Sequence, residues 1–298
     1  MKRFVLCGFV CFGWCGFFQT IQADPIVPLN YTFTTIDVPG SAFTNLYGIN
    51  NSGQIVGSYT DSAGAQHGFL YTNGTFAPLP FTPTGINNVG QIVGLSGNNL
   101  VFDTNGSITN IAIPGSRGFP SYIDYRLAKI NDLGQVAGNY YDQYFGIQGF
   151  VYTNGTFTLT PMPIPDVQES VSAHGINNAG QILVTIVGQA NSETYLYQNG
   201  LYTTLIFPDN FITGIALNNV GQAVGSYPVA TYVYTNGVVG YFHLGDNTPY
   251  PGEPADINDL GQIVGGDILA APVPEPGLLL LFTGGLGLLC FLRHRAHA

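Results

Sequence analysis

Only a handful of side chains in this sequence could carry chemistry, and their spacing limits what that chemistry could be. His67, His174 and His243 are the histidines of the body, far apart and without the His-x-x-x-His interval that sets two metal ligands on one helix face. They read as surface or loop histidines unless the fold gathers them around a central channel. Asp124, Asp132 and Asp142 fall in one stretch, Glu169 and Glu193 in the next. Two carboxylates flanking a glycosidic bond would suffice for hydrolysis, but 17 acidic residues make chance pairs common, so no catalytic pair is assigned. Asp256-Ile257-Asn258-Asp259-Leu260-Gly261 approaches a calcium loop, with oxygen ligands at its first and third places and Gly at its sixth. Leu260 at the fifth place and the lack of a Glu at the right distance make it a turn instead, and no metal ligand is assigned. The nucleophile-elbow, zinc-helix and phosphate-loop patterns are lacking, and no cofactor is expected.

Residues 117–145 are the most individual segment. Tyr122, Tyr125, Tyr140, Tyr141 and Tyr144 are interleaved there with Asp124, Asp142, Arg117, Arg126 and Lys129. A tyrosine offers a flat apolar face and a hydroxyl, which suits stacking on a sugar ring while hydrogen-bonding its edge. These five are the candidate glycan-binding residues. The competing reading makes them packing aromatics among solvated charges.

Charge and cysteine usage exclude whole classes. Between residues 24 and 276 the three basic residues just named face 17 acidic ones, a net charge of −14 that repels phosphate backbones. Nucleic acid is not an expected partner. Cys7, Cys11, Cys15 and Cys290 all lie in the terminal apolar runs. The body therefore has neither a disulfide nor a thiolate, and a hydrophobic core must hold it.

The elements that would position any site come from a repeat. A phrase of the form Ile-Asn-Asn/Asp-x-Gly-Gln-Ile-Val-Gly occurs six times, with its Gly-Gln pairs at Gly53, Gly90, Gly134, Gly180, Gly221 and Gly261, 37 to 46 residues apart. Asn50-Asn51-Ser52-Gly53 reads as a turn, because Asn and Gly tolerate positive φ, and the residues after it as a strand. A second hairpin follows around Asn73-Gly74, the preferred pair for a type I′ turn, and recurs at Asn105, Asn154, Asn199 and Asn236. Each unit thus holds four short strands, the content of a propeller blade. The sixth unit lacks its second hairpin, whereas Ile26–Phe33 and Ile36–Ser41 mirror that part of other units. The N-terminus is expected to supply the missing hairpin and so cover an open sheet edge.

The ends read as addresses. Lys2 and Arg3 precede the apolar run Phe4–Phe18, and Ile21-Gln22-Ala23 offers a cleavage point, the pattern of a secretory signal peptide. At the other end Val273-Pro274-Glu275-Pro276 precedes 16 apolar or small residues, Gly277–Leu292, and then Arg293-His294-Arg295. A helix of that length spans about 24 Å, short of a ~30 Å hydrocarbon core. Arg293 and Arg295 would stay cytoplasmic, leaving the body on the far side. For either end the alternative is an anchor that is never cleaved.

Residues 273–298 resemble the PEP-CTERM sorting signal of exopolysaccharide-producing Gram-negative bacteria. The resemblance implies cleavage near Pro-Glu-Pro by a membrane exosortase, with Val273, Pro274, Glu275, Pro276, Arg293 and Arg295 as sorting-signal residues. The repeat phrases over residues 31–265 are similar to the extracellular HAF-type repeat, with His67-Gly68-Phe69 and Gln148-Gly149-Phe150 in the place of its name-giving tripeptide.

These readings predict an all-β chain in three parts: a signal peptide at 1–23, a six-repeat propeller domain at 24–271 and a sorting tail at 272–298. The expected fold is a six-bladed β-propeller closed by the N-terminal hairpin, flanked by an N-terminal signal helix and a C-terminal transmembrane helix. The expected role is that of a non-catalytic cell-surface or matrix protein. Its expected partners are the secretion machinery, an exosortase-type membrane protease and exopolysaccharide, with membrane contact only through the terminal segments. The alternatives are a polysaccharide hydrolase or lyase on a propeller, and a small-ligand or calcium-binding module.

Overall fold

The computed structural model describes residues 19–21, 24–97, 99–112, 128–142, 146–160, 170–187, 192–205, 213–227, 230–242 and 253–274. Their regular structure is entirely strand, in a propeller-like arrangement of antiparallel meanders. No helix among the described residues is long and apolar enough to cross a membrane. Of the expected signal peptide only Gln19–Ile21 is described, as a strand and not a helix; its apolar run Phe4–Phe18 and the expected transmembrane helix lie outside the described residues.

In each repeat the turn of the repeated phrase joins the first strand to the second, and in the first five an Asn-Gly turn joins the third strand to the fourth. In the first, Phe43–Ile49, Ile55–Thr60, Gln66–Thr72 and Thr75–Leu79 pair in sequence order. Asn73 and Gly74 both adopt positive φ, 48° and 86°, as a type I′ turn demands, and the other four Asn-Gly pairs do the same. Thr82–Ile86 through Ser107–Ala112 build the second sheet, and Thr213–Leu217 through Val238–Phe242 the fifth repeat. The third repeat (Lys129–Ile130 to Thr156–Leu159) and the fourth (Ser170–Ile176 to Leu201–Leu205) share one nine-stranded sheet, because Gln148 bridges in parallel to Val171. Four sheets therefore stand apart as blades, and the expectation of six separate ones is corrected on this point.

The sixth repeat is finished by the N-terminus, with one strand rather than a hairpin. Asp256–Ile257, Ile263–Gly265 and Ile268–Pro272 already supply three strands, since a two-residue turn at Gly266 lets the chain double back. Tyr31–Thr35 then pairs antiparallel with Ile268–Pro272 and caps that edge. The preceding Asp24–Pro28, expected to lie in the same unit, runs parallel to Val238–Phe242 of the fifth. Gln19–Ile21 similarly lines Leu201–Leu205 of the fourth.

The core lies between successive repeats rather than within any one of them. In the first repeat Ile55 packs with Leu46, Phe69 and Val264 of the sixth, whereas its neighbour Val56 packs with Phe81, Ile86 and Val101 of the second. Adjacent strand residues point to opposite faces, so each Ile-Val pair serves two interfaces. Val93 and Phe150 join the second repeat to the third, Ala137 and Val184 the third to the fourth, Leu183 and Val239 the fourth to the fifth, and Val224 and Ile263 the fifth to the sixth. The chain of clusters closes on itself.

Candidate functional site: the axial cavity

The innermost turns of the six repeats converge on one axis, and the repeat phrase specifies how. Its first asparagine is buried in every copy: Asn50, Asn87, Asn131, Asn177, Asn218 and Asn258 are 1 to 4 % exposed. A buried amide must be satisfied on both ends. Asn131 Oδ1 accepts from the backbone N–H of Leu133 and Gln135, while Nδ2 donates to Gln135 Oε1, so the glutamine of the phrase is the partner of its asparagine. The second Nδ2 hydrogen goes to the main-chain carbonyl of the next repeat's asparagine, from Asn50 to Asn87, on through Asn131, Asn177, Asn218 and Asn258, and back to Asn50, at 2.9 to 3.4 Å. Six repeats make one closed hydrogen-bonded ring.

The following residue makes a second ring. The backbone N–H of Asn51, Asn88, Asp132, Asn178, Asn219 and Asp259 each donates to the side-chain Oδ1 of the next in turn, at 2.7 to 2.9 Å. Two of the six are aspartates, three steps apart in either direction. Asp132 Oδ2 accepts amide hydrogens from Asn88 and Asn178, and Asp259 Oδ2 from Asn51 and Asn219. Six asparagines would leave those amides without acceptors, and six aspartates would repel one another.

One residue before each ring asparagine's leading Ile or Leu, the strands come together closely enough to favour small residues. A Cβ on Gly48 would lie 3.0 Å from Gly85 Cα. Gly48, Gly85, Gly175 and Ala216 fill this place in four repeats, but the third has Lys129 and the sixth Asp256. Lys129 Nζ lies 3.7 Å from Asp256 Oδ2 and donates to the carbonyls of Tyr47 and Thr84. Asp256 in turn accepts from the N–H of Ile49 and Ile257. Burial pushes the Lys129 ammonium pKa down, with Asp256 opposing it, and pushes the Asp256 carboxyl up, with Lys129 opposing it. Desolvation thus outweighs attraction for both members, as expected for a buried pair.

The rings, the ion pair and Ile49, Ile86 and Leu217 line an axial cavity of about 50 Å³. That is room for a few waters or one small ion, and far below the roughly 300 Å³ at which small-molecule pockets begin. Among the described residues no group of three metal-ligating side chains converges.

The residues singled out from sequence fare differently. Asp256 and Lys129, read as a turn residue and a solvated charge, are the buried axial pair. Asp132 is a ring member. His174 is buried in Ser170–Ile176, both its ring nitrogens lack a partner among the described residues, and burial holds its pKa down at about 4. His67 is exposed and pairs with Asp61 at 2.8 Å. Tyr140 is 9 % exposed and packs in the core with Val136 and Phe150, so its ring is not offered to a glycan. Tyr141 is in the strand Val136–Asp142. Tyr122, Tyr125, Tyr144, Asp124, Glu169 and His243 lie outside the described residues, as do Glu275, Pro276, Arg293 and Arg295. Val273 and Pro274 are exposed, with Val273 N–H bonded to Asn30 O as the chain leaves the sixth unit. Sequence reasoning missed the Lys129–Asp256 pair; the signal was that both break the repeat at one and the same place.

No family model matches the chain, and no curated protein matches it. Solved structures align with most of the chain at low identity. A candidate gluconolactonase aligns with 84 % of this chain and 96 % of its own, at 13 % identity and a TM-score of 0.49. Regucalcin from Agrobacterium tumefaciens, a calcium-binding protein, aligns with 83 % of this chain and 95 % of its own, at 10 % identity and 0.49. A lectin of Aleuria aurantia, in complex with a methyl fucoside, aligns with 75 % of this chain and 80 % of its own, at 13 % identity and 0.42.

Proposed function

We propose that the chain is an exported, non-catalytic surface or matrix protein, a rigid propeller-like disc of six repeats associated with exopolysaccharide. The observation that carries this reading is the occupation of the axis by the protein's own groups. The polar atoms of the two rings and of the Lys129–Asp256 pair are taken up by the protein's own side chains and backbone, and the remaining space is too small for a sugar ring. The resemblance of residues 273–298 to a sorting signal supports export and processing by an exosortase-type protease. Val273 and Pro274, the first two residues of that motif, are exposed where the chain leaves the sixth unit.

Residues 24–274, which keep the closing strand, are tested against the host's extracellular polysaccharide. Retention on the glycan without release of reducing ends or unsaturated products is the expected result. Turnover would replace this reading with that of a hydrolase or lyase. A second reading, a divalent-cation module, draws on Asp132 and Asp259 bordering the same cavity; a rise in melting temperature with calcium, lost in D132N/D259N, would favour it.

A further inference from the structure

One place in the repeat phrase does nothing for the fold that its residue type explains. The residue after each second-ring member is Ser52, Val89, Leu133, Ala179, Val220 or Leu260. It contributes only backbone to the turn, as when Leu133 N–H donates to Asn131 Oδ1. Turn positions of this kind favour small or polar side chains, but four of the six are large and apolar. Val89, Leu133, Val220 and Leu260 are 56 to 67 % exposed. The residues before them are hydrogen-bonded from repeat to repeat at 2.7 to 2.9 Å, so Val89 adjoins Leu133 and Val220 adjoins Leu260, two apolar pairs separated by Ser52 and Ala179 in a crown around the axis, on one face of the disc. A clustered exposed apolar patch marks a surface that meets an apolar partner.

The exit of the chain identifies that partner. Pro272 packs beside Gly261, the residue after Leu260: a methyl group on Gly261 would lie 3.5 Å from the proline ring. Tyr31, paired in register with Pro272, donates its hydroxyl to Gly261 O at 3.2 Å. The polypeptide therefore leaves the disc at the crown. From Pro274 only three more residues lead to Gly277, a reach of about 10 Å at full extension, and Gly277–Leu292 is the chain's C-terminal apolar run. We propose that the face carrying Val89, Leu133, Val220 and Leu260 lies on the lipid surface while that run is inserted. The proposal rests on the reading of Gly277–Leu292 as a membrane segment. So short a tether holds the disc against the bilayer, and the crown is the side it must present. Apolar side chains enter the headgroup boundary by roughly 5–10 Å in such contacts. With a net charge of −14 on the body, the contact is apolar and is weakened, not strengthened, by anionic lipid.

The test uses the full chain with W14F, so that an introduced tryptophan is its only one. It is reconstituted in phosphatidylcholine vesicles brominated near the head of the acyl chain, with L133W reporting the crown and A63W the exposed loop at the other end of the strands. Expected are co-flotation that survives alkaline carbonate, a fall of about half or more in L133W emission, as insertion to that depth implies, and no change for A63W. Flotation without quenching of L133W would overturn the proposal and leave the membrane segment standing. Loss of flotation would overturn both. Shielding of L133W together with a sedimentation mass of two chains would assign the crown to a second copy, which also overturns it. L133S/L260S carrying V89W as the reporter should fold, float and lose neither ring, yet show weaker quenching than V89W alone, because the tether still turns the crown to the bilayer but the apolar contact that carries it into the headgroups is gone.

Discussion

The third and sixth repeats differ from the other four at the same two places. Where the others have glycine or alanine beside the axis they have Lys129 and Asp256, and where the others have asparagine in the second ring they have Asp132 and Asp259. The two repeats are half a turn apart, so each departure meets or balances its counterpart across or around the axis. The shared asparagines close the ring identically in all six units; the departures have meaning only in pairs. A residue repeated six times is thus explained by its neighbour, and a residue that breaks the repeat by its opposite number.

The sharpest way to break that comparison is to remove one partner of the axial pair. Lys129→Met leaves Asp256 buried without a cation, and urea unfolding should show a loss of about 3–5 kcal/mol. Adding Asp256→Leu should recover most of it, because an apolar pair of similar volume avoids the desolvation cost. Independent, additive losses would show that the two groups are not coupled.

His174 offers the contrasting case of a departure without a counterpart. At the equivalent bulged place Tyr47 bonds to Ser58 Oγ and Thr84 to Ala128 O, whereas the His174 ring has no partner among the described residues. Its folded pKa of about 4 lies below the ordinary 6.5, so the unfolded chain binds its proton first as the solution is acidified. The stability contributed is full above pH 6.5 and is lost as pH falls towards 4, by about 3 kcal/mol. Melting temperatures across that window should fall less steeply for His174→Leu.

The smallest effect belongs to the second ring. Asp132→Asn keeps the acceptor for Asn88 N–H but faces the amides of Asn88 and Asn178 with a third amide. The site is half open to water, and the expected loss is about 1 kcal/mol. Calorimetry on Asp132→Asn and Asp259→Asn should give equal shifts if the two positions are equivalent.

Much of this was legible beforehand. The Asn-Gly turns adopt the positive φ that the residue types call for, and the Ile-Asn-Asn-x-Gly-Gln phrase is a turn followed by a buried strand. The need for an N-terminal contribution to the last unit was visible in the repeat count, but its extent was not. A turn at Gly266 supplies one of the two strands thought missing, and Asp24–Pro28 pairs with the fifth unit instead. Asp256 looked like turn chemistry because its local sequence resembles a loop. Lys129 and Tyr140 sat in a stretch rich in charge and tyrosine, which suggested a surface, and both are buried.

The sequence alone settles the local steps: where strands begin, which turns carry positive φ, and that units recur at a near-constant interval, because each depends on residues a few places apart. Which units touch was decided only when the chain came round on itself. Burial of Lys129 is tolerable solely because Asp256, remote along the chain, arrives within ion-pair distance at the axis, and the amide hydrogens of the rings find acceptors only in a neighbouring repeat. Desolvation and hydrogen-bond satisfaction are properties of the closed circle, and no stretch of the polypeptide contains them by itself.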